Sequence, residues 1–127
     1  GTDGAAMLDR EGFRLSYASI IESVRAASPD TVIALQSVFP VCEGSVNTVF
    51  TEPAKTNEKF REVNIWLSEL AKEYGAVFID SSPVLCDDNG ELRKEYNSDH
   101  LDGYHLNRAG LSAMLGNVLK TLNGEKQ

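Results

Sequence analysis

No run of apolar residues in this 127-residue chain approaches the ~18–20 needed to cross a bilayer as a helix, which excludes a transmembrane segment. Cysteine is scarce as well. Cys42 and Cys86 are the only two, too few for a disulfide scaffold and without zinc-ligand spacing; they read as free, partly buried thiols in preference to a single bridge. Basic residues are outnumbered, 12 Lys and Arg against 19 Asp and Glu, for a formal charge of −7. That balance argues against nucleic acid and against anionic membrane surfaces, both of which reward clustered Lys and Arg. Internal repeats, low-complexity tracts and long linkers are lacking. The opening Gly1-Thr2-Asp3-Gly4 shows neither an initiator Met nor a signal-peptide pattern, so no compartment is legible there. What is present, 42% hydrophobic and 24% charged residues, is the composition of one soluble globular domain. A chain of this length buries roughly two-thirds of its unfolded surface, enough for a core.

Periodicity supplies the elements. Residues 9–27 place Phe13, Tyr17, Ile20, Ile21 and Val24 on one helical stripe, and Pro29 ends it by disfavouring helix at the residue before. Residues 31–38 (TVIALQSV) are short and nearly all apolar, predicting a strand buried on both faces as in a parallel sheet. An irregular loop with Pro40, Gly44 and Pro53 follows. Residues 56–74 form a second helix through Phe60, Val63, Leu67, Leu70, Ala71 and Tyr74, with Gly75 as its left-handed C-terminal residue. Residues 76–80 (AVFID) are a second buried strand, and Asp88-Asn89-Gly90 is a tight turn. Asn107 caps a last helix whose stripe is Leu111, Met114, Leu115, Val118 and Leu122.

The order helix, strand, helix, strand, helix predicts an α/β fold with parallel strands and right-handed crossovers. The expected architecture is a three-layer α/β/α, flavodoxin-like parallel sheet. Two strands leave two raw edges, and three amphipathic helices ask for more sheet than that. Residues 1–127 therefore read as the C-terminal part of a single larger domain whose N-terminal strands lie upstream.

In open parallel sheets, ligands bind outside the carboxyl ends of the strands. The segments expected there are residues 1–4, the loop after Val38, the segment after Asp80, and Asp102-Gly103-Tyr104-His105 ahead of the last helix. An Asp three residues before a His can fold back. Its carboxylate then accepts the imidazole Nδ1–H, fixing the tautomer and leaving Nε2 as a base. The spacing alone fits a turn-forming Asp102 and a solvated His105 better. His100 adjoins Asp99, but neighbouring side chains diverge, and a metal cluster of Asp99, His100, Asp102 and His105 lacks a third well-placed nitrogen or sulfur ligand. No metal is expected. Glu52, Lys55, Glu58, Lys59, Arg61 and Glu62 read as a solvated helix face. Trp66, beside core Leu67, reads as packing rather than as a sugar platform, whereas Tyr104 is the candidate for a substrate-facing aromatic. Ser37, Ser81 and Ser82 lack the helix-leading turn that exposes a nucleophile. Asp80, at a strand end, reads as the cap of the next turn rather than as a phosphoacceptor or metal ligand.

The run Asp102-Gly103-Tyr104-His105-Leu106-Asn107 before a final amphipathic helix resembles the last block of the SGNH (GDSL-type) hydrolases. That block supplies the Asp and His of a Ser-His-Asp triad. Gly1-Thr2-Asp3-Gly4 resembles the family's Gly-x-Asn block at the end of the third strand, and residues 29–40 and 71–80 resemble its fourth and fifth βα units. The resemblance covers nearly the whole chain but only the later half of the family's domain. It implies an ester hydrolase acting on acyl or acetyl esters, of small molecules, carbohydrates or lipids, with no metal or organic cofactor. His105 would be the general base, Asp102 would orient it, Gly1 and Asp3 would stand at the oxyanion position, and Tyr104 would border the substrate. Two departures accompany it. The Gly-Asp-Ser block with the nucleophile is absent, so this chain alone is expected to lack robust esterase activity. Asp3 stands where the family has Asn, and an ionised carboxylate has no N–H to donate to an oxyanion. A natural variant, an Asn deamidated ahead of Gly4 and a chance match all fit that position. The alternatives are a non-catalytic α/β binding or structural module and an unrelated flavodoxin-like domain.

Overall fold

Helix α1 (Arg10–Ala27) begins where a side chain can serve its open end: Asp9 Oδ1 accepts the Gly12 amide at 2.6 Å. The computed structural model describes residues 9–44, 50–98 and 102–124. Phe13, Ala18 and Ile21 are the buried residues of α1, with Tyr17 packed beside them. Ile20, expected on the stripe, is 59% exposed, and Val24 lies at its margin. One residue turns the helix by ~100°, so Ile20 faces away from the helix that covers Ile21.

Helix α2 (Pro53–Tyr74) starts earlier than the expected residue 56 because Pro53 occupies the first helical turn. The N–H that proline lacks would have no partner there in any case. The helix ends at Gly75 in the left-handed conformation, φ 65°. Strands β1 (Ala34–Gln36) and β2 (Val77–Ile79) pair in parallel, as expected, with Leu35 opposite Phe78. Leu35 and Phe78 face α1 and α2 and join a core of Phe13, Ile21, Val63, Trp66, Leu67 and Leu70. Trp66 is thus a packing residue, with the Lys59 ammonium 4.7 Å from its ring centroid.

Both strands are shorter than their apolar runs, and the expectation of burial on both faces fails for β1. Ala34 is exposed and Val32, just before the strand, is 73% exposed. Among the described residues β1 has β2 as its one strand neighbour, so its other edge pairs with no described strand.

Beyond β2 come two elements with no apolar period to announce them, the one-turn helix α3 (Ser82–Leu85) and a 3₁₀ turn (Lys94–Tyr96). Between them Asp87 Oδ1 accepts the amides of Asn89 and Glu91 and sets the expected turn. Helix α4 (Arg108–Leu122) is capped by Asn107 Oδ1, which accepts the Gly110 amide at 2.9 Å. Its expected stripe divides. Met114 packs on the cluster of Cys42, Leu85 and Leu92, and Val118 is half-buried. Leu111, Leu115 and Leu122 are instead 45%, 53% and 46% exposed, with Leu119 beside them at 61%. The helix touches β2, α3 and the 3₁₀ turn along one side, and no described residue covers the other.

Candidate functional site

The segment from Tyr96 to Asn107 is closed at its base before any side chain is considered. Asn97 and Leu106 form an antiparallel bridge, the Ser98 amide donates to the His105 carbonyl at 2.8 Å, and the Asn107 amide donates to the Tyr96 carbonyl at 2.8 Å. Within this closed loop, Asp102 is 9% exposed. Its Oδ1 accepts the amides of Tyr104 and His105, both at 3.0 Å, and the Asn97 Nδ2 at 3.2 Å. Its Oδ2 meets His105 Nδ1 at 2.5 Å. The two residues singled out by spacing are thereby brought together.

Burial by itself would raise the Asp102 carboxyl above its ordinary pKa. The His105 and Tyr104 amides, the His105 ring and the Asn97 carboxamide reverse that and hold it far below the ordinary value. Asp102 is therefore ionised at neutral pH, and an ionised carboxylate accepts from the ring only when Nδ1 carries the proton. In the neutral form of the ring Nε2 is then the nitrogen with the free lone pair. The His105 side chain is 63% exposed, so the ring is held on one edge, lies against Tyr104 and is otherwise largely open.

Two further contacts fix this loop to the body of the protein. Gly103 has φ 88°, and a Cβ there would lie 2.2 Å from the Cys42 carbonyl oxygen; no other residue fits. Its carbonyl accepts the Cys42 amide at 2.7 Å. Residues 38–42 are in turn held by α2. Asn57 pairs with the N–H and C=O of Val41, both at 2.8 Å. Asn64 pairs with those of Val38, at 2.6 and 3.1 Å. Asn57 and Asn64 are two turns apart on one helix face, so each presents its amide to the same strap.

Tyr104, the expected substrate-facing aromatic, is half-buried. Its ring centroid lies 4.1 Å from that of His105 and 5.4 Å, edge-on, from that of Phe50. Against the expectation, Ser81 and Ser82 do lead into a helix, α3, but Ser37 and Ser81 are buried in structural contacts. Ser81 is fully buried and receives Gln36 Nε2 at 2.6 Å, while Ser37 Oγ accepts the Ser81 amide. Asp80 Oδ1 accepts the Ser82 amide at 2.9 Å, the capping role expected of it. Burial pushes the thiols of Cys42 and Cys86 up, keeping both protonated. Lys59 and Glu62 pair on the exposed face of α2. Gly1, Asp3, Asp99 and His100 lie outside the described residues. Among the described residues no three His, Cys, Asp or Glu side chains gather to hold a metal.

Asn97, Gly103, Asn57 and Asn64 shape the site; of these the sequence places only Gly103 there, as part of the segment 102–105 and with no role of its own. The Asp-Gly dipeptide is a turn signal that could have flagged Gly103. The three asparagines act across the fold and leave no local pattern.

Residues 1–113 match the model of the GDSL-like Lipase/Acylhydrolase family. Among solved structures, the chain is similar to a Streptococcus pneumonia protein provisionally described as a platelet activating factor. The two are 31% identical with a TM-score of 0.81 over 96% of this chain and 56% of that one. The esterase domain of the ZfL2-1 ORF1 protein, from a zebrafish retrotransposon, is 22% identical with a TM-score of 0.69, over 98% of this chain and 65% of that one. A GDSL-like lipase from Bacteroides thetaiotaomicron is 20% identical with a TM-score of 0.70, over 94% and 55%. These last two speak to the fold alone. The chain spans 55% to 65% of the length of these three structures. No curated protein matches it in sequence.

Proposed function

The chain belongs to the GDSL-like lipase/acylhydrolase family, and from that membership we propose that it is the later part of an ester hydrolase with His105 as general base. The observation that carries this reading is the 2.5 Å contact between Asp102 Oδ2 and His105 Nδ1, made while Oδ1 is already occupied by three donors. The ring edge that faces the carboxylate is fixed, and Nε2 is left as the proton acceptor.

In the proposed reaction a serine upstream of Gly1 attacks the ester carbonyl as His105 Nε2 takes its proton. The resulting imidazolium, stabilised by ionised Asp102, returns the proton to the leaving alcohol. Water repeats the sequence on the acyl-enzyme and releases the acid. Backbone amides at Gly1 to Gly4 stand at the oxyanion position together with Asp3, and Tyr104 borders the leaving group beside His105. The substrates are small-molecule acyl or acetyl esters, including those of carbohydrates or lipids, and no cofactor takes part. Upstream strands would pair with the open side of β1 and cover the exposed leucines of α4, completing a three-layer α/β/α domain.

Turnover of p-nitrophenyl acetate by the full-length protein tests this. His105→Ala is expected to lower kcat by about 10⁶-fold with little change in thermal stability, because the side chain is largely exposed. Unchanged turnover in that variant ends the assignment. Asp3 favours a second reading, a non-catalytic module, since a carboxylate opposes a developing oxyanion; absence of ester turnover in the unsubstituted protein would support it.

A further inference from the structure

The Asn97 side chain belongs to a residue only 7% exposed, and its polar contacts all end within four consecutive residues. Nδ2 donates to Asp102 Oδ1 at 3.2 Å and to the His105 carbonyl at 3.0 Å, while Oδ1 accepts the Gly103 amide at 3.1 Å. A buried polar group costs stability unless its hydrogen bonds are made, and here one carboxamide makes three. The set is chemically narrow. It needs two N–H donors and an acceptor from one short side chain, which a carboxylate or a hydroxyl cannot supply. Gln is a methylene too long for contacts already at normal distance.

The backbone beneath that side chain is fixed by other groups. The Asn97 amide donates to the Lys94 carbonyl at 3.1 Å, its carbonyl accepts Asn107 Nδ2 at 2.9 Å, and the bridge to Leu106 closes the loop. The carboxamide is thus aimed from the stem of the loop toward its tip. A carboxylate can turn about its terminal torsion and exchange its oxygens. With Oδ1 tied to the stem, Asp102 can offer only Oδ2 to the imidazole.

We propose that Asn97 is a positioning residue, acting through Asp102, that fixes which carboxylate oxygen meets His105 Nδ1 and where the ring stands. Its kinetic consequence rests on the hydrolase reading above; its structural consequence does not. The Tyr104 and His105 amides also bind Oδ1, but they lie on the same turn as Asp102 itself; among the described residues Asn97 is the one donor to that oxygen from outside residues 102–105.

The full-length protein with Asn97→Asp tests this, because the substitution keeps the shape and the acceptor while replacing both donors by a carboxylate oxygen that repels Asp102 Oδ1. Two readouts are taken, kcat and KM on p-nitrophenyl acetate, and the proton NMR signal of the His105 Nδ1–H. The expected result is a kcat lowered about 10²-fold, the scale of a misplacement near 1 Å, with KM little changed and the downfield Nδ1–H signal lost. Leu92→Ala is the comparator, since Leu92 is fully buried in the cluster beside the loop and carries none of these hydrogen bonds. It should lower Tm yet keep both kcat and the signal. If folded Asn97→Asp protein retains both, Asn97 is merely structural and the proposal is overturned. Should that variant not fold, hydrogen exchange at Asn97 Nδ2 in the unsubstituted protein decides. Slow exchange supports the proposal, and exchange as fast as an exposed asparagine overturns it. Absence of ester turnover in the unsubstituted protein would overturn the hydrolase reading, and the Nδ1–H signal would still decide the role of Asn97.

Discussion

Asp102 divides its two oxygens, one closing the loop and one holding the imidazole, and this division has a pH signature. Its carboxyl is held well below the ordinary 3.8 by the hydrogen bonds that overcome its burial. For a depressed carboxyl the folded state releases the proton more readily than the unfolded state. The stability it contributes is complete above about pH 4 and is lost as pH falls from there toward the held-down value. Unfolding measured from pH 5 downward should therefore show an acid-induced loss that flattens in Asp102→Asn, where no proton is taken up. Asp3 has the opposite chemical problem. If the proposed oxyanion position is correct, Asp3→Asn in the full-length protein restores an N–H donor and raises kcat by about 10²–10³. An unchanged kcat would remove Asp3 from that position.

Helix α2 does more at the level of elements than cover the sheet. Through Asn57 and Asn64 it grips the backbone at Val41 and Val38, and Cys42 passes that hold to Gly103. Two glycines with similar φ separate backbone strain from this linkage. At Gly75, φ 65°, a Cβ would meet nothing closer than 3.9 Å, whereas at Gly103, φ 88°, it would meet the Cys42 carbonyl at 2.2 Å. Gly75→Ala should cost about 1–2 kcal/mol, the left-handed penalty alone, with turnover retained. Gly103→Ala adds a backbone collision that the clamped strap cannot relieve. Thermal unfolding beside kcat should show the second variant losing turnover out of proportion to its stability.

Across the whole molecule, the largest group of exposed leucines among the described residues lies on α4, where Leu111, Leu115, Leu119 and Leu122 are all more than 40% exposed. Together with the unpaired edge of β1, this is the surface the proposed upstream strands would occupy. Leu115→Glu distinguishes that arrangement. In the 127-residue chain the substitution should change stability by less than about 0.5 kcal/mol, as at an ordinary exposed position. In the full-length protein it should cost about 2–4 kcal/mol, because a charge would be buried against sheet. Equal small effects in both would place the upstream segment elsewhere.

The three long helices, the two strands and their parallel pairing were legible in the sequence because each follows from a local period: apolar residues every three to four, or a short continuous run. The Asp9 and Asn107 caps and the Gly75 terminus were legible for the same reason, since capping involves neighbours in the chain. Asp102 and His105 could be named from their spacing and their place before a helix. Which side of each helix is covered was not legible, and Ile20 and Leu115 mark the failure, because periodicity finds an apolar face without saying what meets it. The strands' true length and the unpaired edge of β1 depend likewise on neighbours. The meeting of Asp102 Oδ2 with the imidazole was decided by Asn97, Gly103 and the strap held by Asn57 and Asn64. Those contacts join residues distant in sequence, and only the folded chain places a donor from one segment within 3 Å or so of an acceptor in another.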